Sequence, residues 1–163
     1  MHKLCKAGQG LILGVTGFVL VTSFYLQYTE ALLPCPLCLM QRGMTLLIFL
    51  LAFIGMFKAP RVIGMLELLF ALAGAFFASR QLWLQSLPVA DTGMCLPGVE
   101  SLVGKLPWHE LLQTFIWKGG SSCGEVTWVF AGFSMAAWSL MYFSLIGIIS
   151  VFLGVKLFRD ECV

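Results

Sequence analysis

The sequence predicts an all-α integral membrane protein, a single four-helix bundle over residues 1–163 with two exterior loops. Three observations lead there. The chain is 60% hydrophobic and 11% charged, whereas soluble domains are about 45–50% apolar and about 25% charged. Its mean hydropathy of +0.94 implies more apolar surface than a soluble fold could hide. Four apolar runs are each about as long as the ~20 residues a spanning helix needs, and the polar stretches between them carry two pairs of cysteines. A net charge of +2 is too small to argue for nucleic acid, so the few basic residues bear on orientation instead.

The first run extends from about Gly10 to Tyr28. His2, Lys3 and Lys6 precede it, as in a signal peptide, but no small-residue cleavage site follows, so it is expected to be a retained helix. The second run covers Gln41–Phe57, the third Val62–Leu84 and the fourth Val126–Leu153. In hydrocarbon, backbone groups must be satisfied within the segment or in a closed barrel. Strand-like alternation is absent, so these long runs are expected to be helices. Gly14, Gly17, Gly55, Gly64, Gly74 and Gly132 fall inside them, where small residues let helix backbones approach closely.

The connections differ in character. Thr29–Met40 is a short loop carrying Cys35 and Cys38, and Lys58-Ala59-Pro60-Arg61 is a tight basic turn. Gln85–Glu125 is a long polar loop carrying Cys95 and Cys123 among Gly, Pro, Asp and Ser, residues of turns. Within it, Val99–Trp117 alternates apolar and polar residues in a pattern that suits a short amphipathic helix on the membrane surface, broken or begun by Pro107. Lys156–Val163 is a tail.

Lysine and arginine set the orientation. Lys3, Lys6, Lys58, Arg61, Lys156 and Arg159 lie on one side; Arg42, Arg80, Lys105 and Lys118 lie toward the other, two of them at helix edges and two in the long loop. Both termini and the basic turn are therefore expected in the cytoplasm of a multi-pass membrane protein, with the cysteine-bearing loops on the exterior, which in a bacterium is the periplasm. Cys35, Cys38, Cys95 and Cys123 then face an oxidising space and Cys5 and Cys162 a reducing one. Disulfides persist in the first and are rare in the second. Two exterior disulfides fit this count, and four cysteines allow three pairings.

Cys35-Pro36-Leu37-Cys38 is the stretch with the most chemistry. C-x-x-C alone is ambiguous between a structural bridge, half of a zinc site and a redox centre. Zinc sites usually pair two such knuckles, but Cys95 and Cys123 are far apart in sequence and His109 is the lone histidine between them, so no metal is expected. A bridge closing so short a loop adds little stability through chain entropy. The motif also abuts the start of the second helix, where the helix dipole and backbone N–H groups favour a thiolate. Arg42 follows Cys38 by four residues, one turn on along the same face. Its charge would support a thiolate, or negative charge building on an electron acceptor held nearby. The chain has no Gly-rich nicotinamide fingerprint and no C-x-x-C-H haem motif, so a lipid-soluble quinone in a groove beside Cys38 and Arg42 is the expected acceptor.

These residues resemble the DsbB disulfide bond formation proteins of bacterial inner membranes. The likeness spans nearly the whole chain: four helices, an exterior C-x-x-C at the start of the second, an arginine four residues on, and a second cysteine pair in the long loop. Arg80-Gln81-Leu82-Trp83-Leu84-Gln85 with Leu87-Pro88, then Cys95-Leu96-Pro97-Gly98, also look like the family's pattern. The resemblance implies an oxidase that uses ubiquinone or menaquinone and reoxidises a DsbA-like periplasmic thiol oxidase. By that likeness the reduced partner attacks Cys95, Cys123 then attacks Cys35, and Cys38 is the thiolate beside the quinone with Arg42 supporting charge on the ring. Two departures stand out. Gln41 occupies a place where some members carry an acidic residue. No histidine lies near the outer end of the third helix, where Arg80, Gln81 and Gln85 are the polar candidates. Two other functions compete. A quinone or vitamin K epoxide reductase would carry its C-x-x-C late in the chain, and a membrane assembly protein would keep its disulfides as structural bridges only.

Overall fold

The protein is described from a computed structural model, which covers residues 2–29, 35–57, 61–86, 107 and 128–158, with side chains at 6–29, 35, 37–57, 62–86, 107 and 128–155. Four long helices dominate: α1 His2–Thr29, α2 Pro36–Phe57, α3 Arg61–Ser86 and α4 Met135–Phe158. Each contains a stretch long and apolar enough to cross a membrane, namely Lys6–Thr29, Leu37–Phe57, Val62–Ser86 and Met135–Val155, with mean hydropathy of 1.6 to 2.0. The expected four-helix membrane bundle is therefore what the chain forms.

The boundaries depart from the sequence reading in instructive places. α1 begins at His2 rather than Gly10, because a helix need not stop where hydropathy does. α2 begins at Pro36 rather than Gln41; proline is pre-organised for the first helical position, where its missing N–H costs nothing. The largest correction is at α4, expected from Val126 to Leu153 and found from Met135 to Phe158. In front of it lies a two-stranded hairpin, β1 Val129–Phe130 and β2 Phe133–Ser134, pairing Val129 with Ser134 and Phe130 with Phe133. Its turn residues, Ala131 and Gly132, both have positive φ, 51° and 83°, as the tight hairpin turn matching strand twist requires. β-branched and aromatic residues on either side favour pairing over helix. Ser134 then caps α4, its Oγ accepting the Ala137 N–H at 3.4 Å. Gly132 is thus a turn residue and not a helix-packing one.

α3 is the centre of the bundle, packing most extensively against α4 and α2; α1 packs on α2 and touches α4 only lightly. The interior is a cluster including Ile12, Ile48, Ala71, Ala78, Phe143 and Ile146. Large apolar side chains also cover the outside: Phe18 is 71% exposed and Ile148 68%, an arrangement that lipid stabilises and water would not. Only some of the helical glycines serve close packing. A Cβ at Gly74 would overlap the Phe143 ring, and one at Gly17 would stand 3.3 Å from the edge of Phe49, whereas Gly14 faces open space. Hydroxyls within the helices bond back to their own backbone, as Thr16 does to the Ile12 carbonyl at 2.7 Å and Thr45 to the Gln41 carbonyl at 2.9 Å, which satisfies them where no water competes.

Candidate active site

The end of α1, the start of α2, the end of α3 and the start of α4 meet at one end of the bundle, and hydrogen bonds tie each to the next. Arg42 of α2 reaches α1, Gln41 of α2 reaches Gln81 of α3, and Ser134 ahead of α4 donates to Gln85 Oε1 of α3 at 3.0 Å. Aromatic rings gather beside the hairpin: Trp128 stacks on Phe130 with centroids 5.6 Å apart, and Trp138 Nε1 donates to the Phe130 carbonyl at 3.2 Å. Amphipathic rings of this kind suit the membrane–water boundary.

Cys35 caps α2. Its carbonyl accepts the Leu39 N–H at 3.1 Å, and its sulfur accepts the Cys38 N–H at 3.3 Å. This is the geometry of an N-cap side chain bonding the third helical residue, with sulfur in place of oxygen and Pro36 at the first helical position. The sequence expectation put both cysteines in a loop; instead the helix begins between them and Cys38 lies within its first turn. That turn brings the two sulfurs to 2.9 Å, a separation from which small side-chain rotations reach the ~2.05 Å of a disulfide. Cys35 is buried at 4% exposure with Leu37 and Leu84, and Cys38 is half-buried against them.

A second feature comes from α3. Gln81 Nε2 points at both sulfurs, 3.4 Å from Cys38 Sγ and 3.7 Å from Cys35 Sγ. Its carbonyl oxygen accepts a hydrogen bond from Gln41 Nε2 at 2.9 Å. Both amides are buried. In the sequence these were a departure from a pattern and one of three polar candidates. Assigning them to the sulfurs required knowing which faces of α2 and α3 meet. The one signal was that an amide inside an apolar run needs a partner. The other two candidates turn elsewhere: Gln85 holds Ser134, and the Arg80 guanidinium lies over the Trp83 ring at 4.3 Å.

Arg42 lies one turn beyond Cys38, but its side chain crosses to α1. It donates to the Ser23 carbonyl at 3.1 Å and to Gln27 Oε1, and sits 5.4 Å from the centre of the Phe24 ring. It remains close enough to interact electrostatically with both cysteines. A guanidinium has five donors, and these hydrogen bonds use two. Phe24 is also part of an apolar groove of about 540 Å³ on the lipid-facing side, lined by residues of α1 from Gly17 to Tyr28 and by Phe49 of α2. Cys95, Cys123, most of the expected surface helix and the basic turn at 58–60 lie outside the described residues.

A dithiol able to close, held at a helix start and supplied with donors and a nearby cation, is equipped for thiol–disulfide exchange. Residues 6–153 match the family model described as disulfide bond formation protein DsbB. The chain is 38% identical over 152 residues to "Disulfide bond formation protein B" of Marinobacter nauticus, covering 90% of each chain. It is 39% identical over 137 residues to the protein of that name from Hahella chejuensis, covering 81% of this chain and 80% of the relative. "Disulfide bond formation protein B 1" of Pseudomonas aeruginosa is 33% identical over 126 residues, covering 74% and 77%. With this match over nearly its full length and a dithiol capping its second membrane helix, the chain belongs to the DsbB family of disulfide bond formation proteins.

Proposed function

We propose that this protein is a quinone-dependent oxidase that makes disulfides and passes them to a DsbA-like periplasmic dithiol oxidase. Electrons run from Cys95 and Cys123 to Cys35 and Cys38 and then to ubiquinone or menaquinone in the membrane. Family membership supports the disulfide-forming oxidoreductase role. The observation that supports the rest is the pair of sulfurs 2.9 Å apart at the start of α2, next to the Gln81 amide and within reach of the Arg42 charge. The charge distribution of the termini and turns supports an inner-membrane protein with both ends cytoplasmic.

Each residue has a chemical task. Cys95 takes the partner's thiolate, and a mixed disulfide forms as the outer bond opens. Cys123 then attacks Cys35, the new bond forming at Cys35 while the Cys35–Cys38 bond breaks and its electron pair settles on Cys38. Helix N–H groups and the Gln81 amide stabilise sulfur anions at this place. The Arg42 guanidinium would hold the quinone's oxygen edge, and the groove of Gly17, Phe24, Tyr25 and Phe49 would hold its ring and tail. A bound quinone supplies a two-electron, two-proton acceptor, which matches the two electrons and two protons a dithiol releases on closing.

Purified protein, a reduced DsbA-like partner and each quinone in turn, followed by quinone absorbance, test this directly. Cys35→Ser and Cys38→Ser are each expected to abolish quinone reduction. Undiminished turnover in either variant would refute the reading.

A further inference from the structure

Among the described residues, a helix N–H and a side-chain amide compete for the one negative charge that a half-ionised Cys35–Cys38 pair would carry. The backbone N–H of Cys38 points to Cys35 Sγ at 3.3 Å, so the helix start favours charge on Cys35. The Gln81 amide comes from a different helix and lies nearer Cys38, at 3.4 Å against 3.7 Å. An amide can attract or repel a thiolate depending on which end faces it. Gln41 biases that here, because its Nε2 donates to Gln81 Oε1 at 2.9 Å and engages the carbonyl, which stands 3.8 Å from Cys38 Sγ while the amide nitrogen lies nearer, at 3.4 Å. Both amides are nearly sealed from solvent, with Gln41 at 6% and Gln81 at 5% exposure, so water cannot readily take over either bond.

We propose that the Gln81 amide, oriented by Gln41, draws negative charge to Cys38 and so decides which sulfur leaves when the inner disulfide opens. The proposal rests on the redox reading above and deepens it. An incoming thiolate can attack either sulfur of a disulfide, and exchange is faster when the better-stabilised sulfur leaves. Attack at Cys35 forms the new S–S bond there, breaks the Cys35–Cys38 bond and places the electron pair on Cys38 Sγ, where Gln81 Nε2 receives it. Attack at Cys38 would expel charge onto Cys35, which has the helix N–H but the weaker amide contact and deeper burial. Gln81 touches a reacting sulfur and is a catalytic residue in that sense. Gln41 acts through Gln81 and is a positioning residue.

The test uses full-length protein in lipid nanodiscs with Cys95→Ser and Cys123→Ser, so that the inner pair reports alone. The pair is reduced, and the rate of Cys38 alkylation by iodoacetamide at fixed neutral pH is read by peptide mass spectrometry. The same samples are equilibrated in glutathione buffers to read the redox balance of the pair. Gln81→Leu is expected to slow Cys38 alkylation about tenfold and to move the redox balance about tenfold toward the disulfide, or about 30 mV for a two-electron couple. Gln41→Glu leaves Gln81 in place but offers its N–H a carboxylate, turning it from the sulfurs, and is expected to shift both readings the same way. This variant keeps the test decisive should Gln81→Leu fold poorly. Values within twofold of the parent in Gln41→Glu would overturn the proposal. Alkylation needs neither quinone nor partner, so failure of the two ideas can be told apart. If protein with all its cysteines does not reduce quinone, the functional reading falls; if it turns over while alkylation is unmoved by both variants, only the role of Gln81 falls.

Discussion

Gln9 of α1 and Glu67 of α3 meet inside the bundle, with Gln9 Nε2 donating to Glu67 Oε2 at 3.3 Å. Glu67 is fully buried and Gln9 is 4% exposed. Gly55 of α2 makes room for the contact, since a Cβ there would stand 3.0 Å from the Gln9 amide. A polar group buried in a membrane bundle is costly to strip of its partner. Gln9→Leu should therefore destabilise the protein by about 1–3 kcal/mol, read as the midpoint of unfolding in mixed micelles. Gln9→Leu with Glu67→Leu should regain most of that loss. A double variant no better than the single one would show that the pair is not what matters.

Gly74 gives the Phe143 ring its place between α3 and α4, the most extensive helix contact in the bundle. Gly74→Ala adds one methyl group into that ring, and overpacking of this kind costs about 1–3 kcal/mol. Adding Phe143→Leu to it should restore part of the stability, because the smaller side chain vacates the clash. Thermal unfolding of the three variants in detergent checks the order. Wild-type stability in Gly74→Ala would mean the helices move apart freely.

On the proposed function, Arg42→Ala should raise the apparent KM for quinone and slow turnover. Losing a charge contact of this kind is worth on the order of 1–3 kcal/mol in transition-state stabilisation. Arg42→Lys should recover only part, since an ammonium cannot fork to the Ser23 carbonyl and Gln27 while lying on Phe24. Initial rates across a range of quinone concentrations decide it, and kinetics matching wild type in Arg42→Ala would remove the residue from the site.

The hairpin before α4 offers a backbone test. Ala131 is held at φ 51°, a left-handed conformation that costs a residue with a Cβ about 1–2 kcal/mol relative to glycine. Ala131→Gly should slow amide exchange across 129–134, and Gly132→Val should speed it. Equal exchange in all three proteins would mean that strand pairing here does not depend on the turn.

Much of this protein was legible in advance. Hydropathy counts residues without needing to know what they touch, so four apolar runs were enough to specify four membrane helices. The C-x-x-C stood out because short-range spacing is itself geometry: three residues make nearly one turn, and Cys35 and Cys38 had to be neighbours. The start of α4 was misplaced because Val129, Phe130 and Phe133 are as apolar as a helix would be. What separates them is a positive-φ turn, to which hydropathy is blind.

The amino-acid order alone determined the class of the protein, its spans and the pairing of Cys35 with Cys38, because each follows from local composition and spacing. Only the tertiary structure decided what surrounds that dithiol: Gln81 against the sulfurs, Gln41 behind it, and Arg42 turned toward Ser23 and Gln27. Those partners are separated by up to 46 residues in the chain. Which of them meet depends on how each helix is rotated about its axis, and that rotation is set by the packing of side chains such as Phe143 on Gly74, which no single stretch of sequence contains.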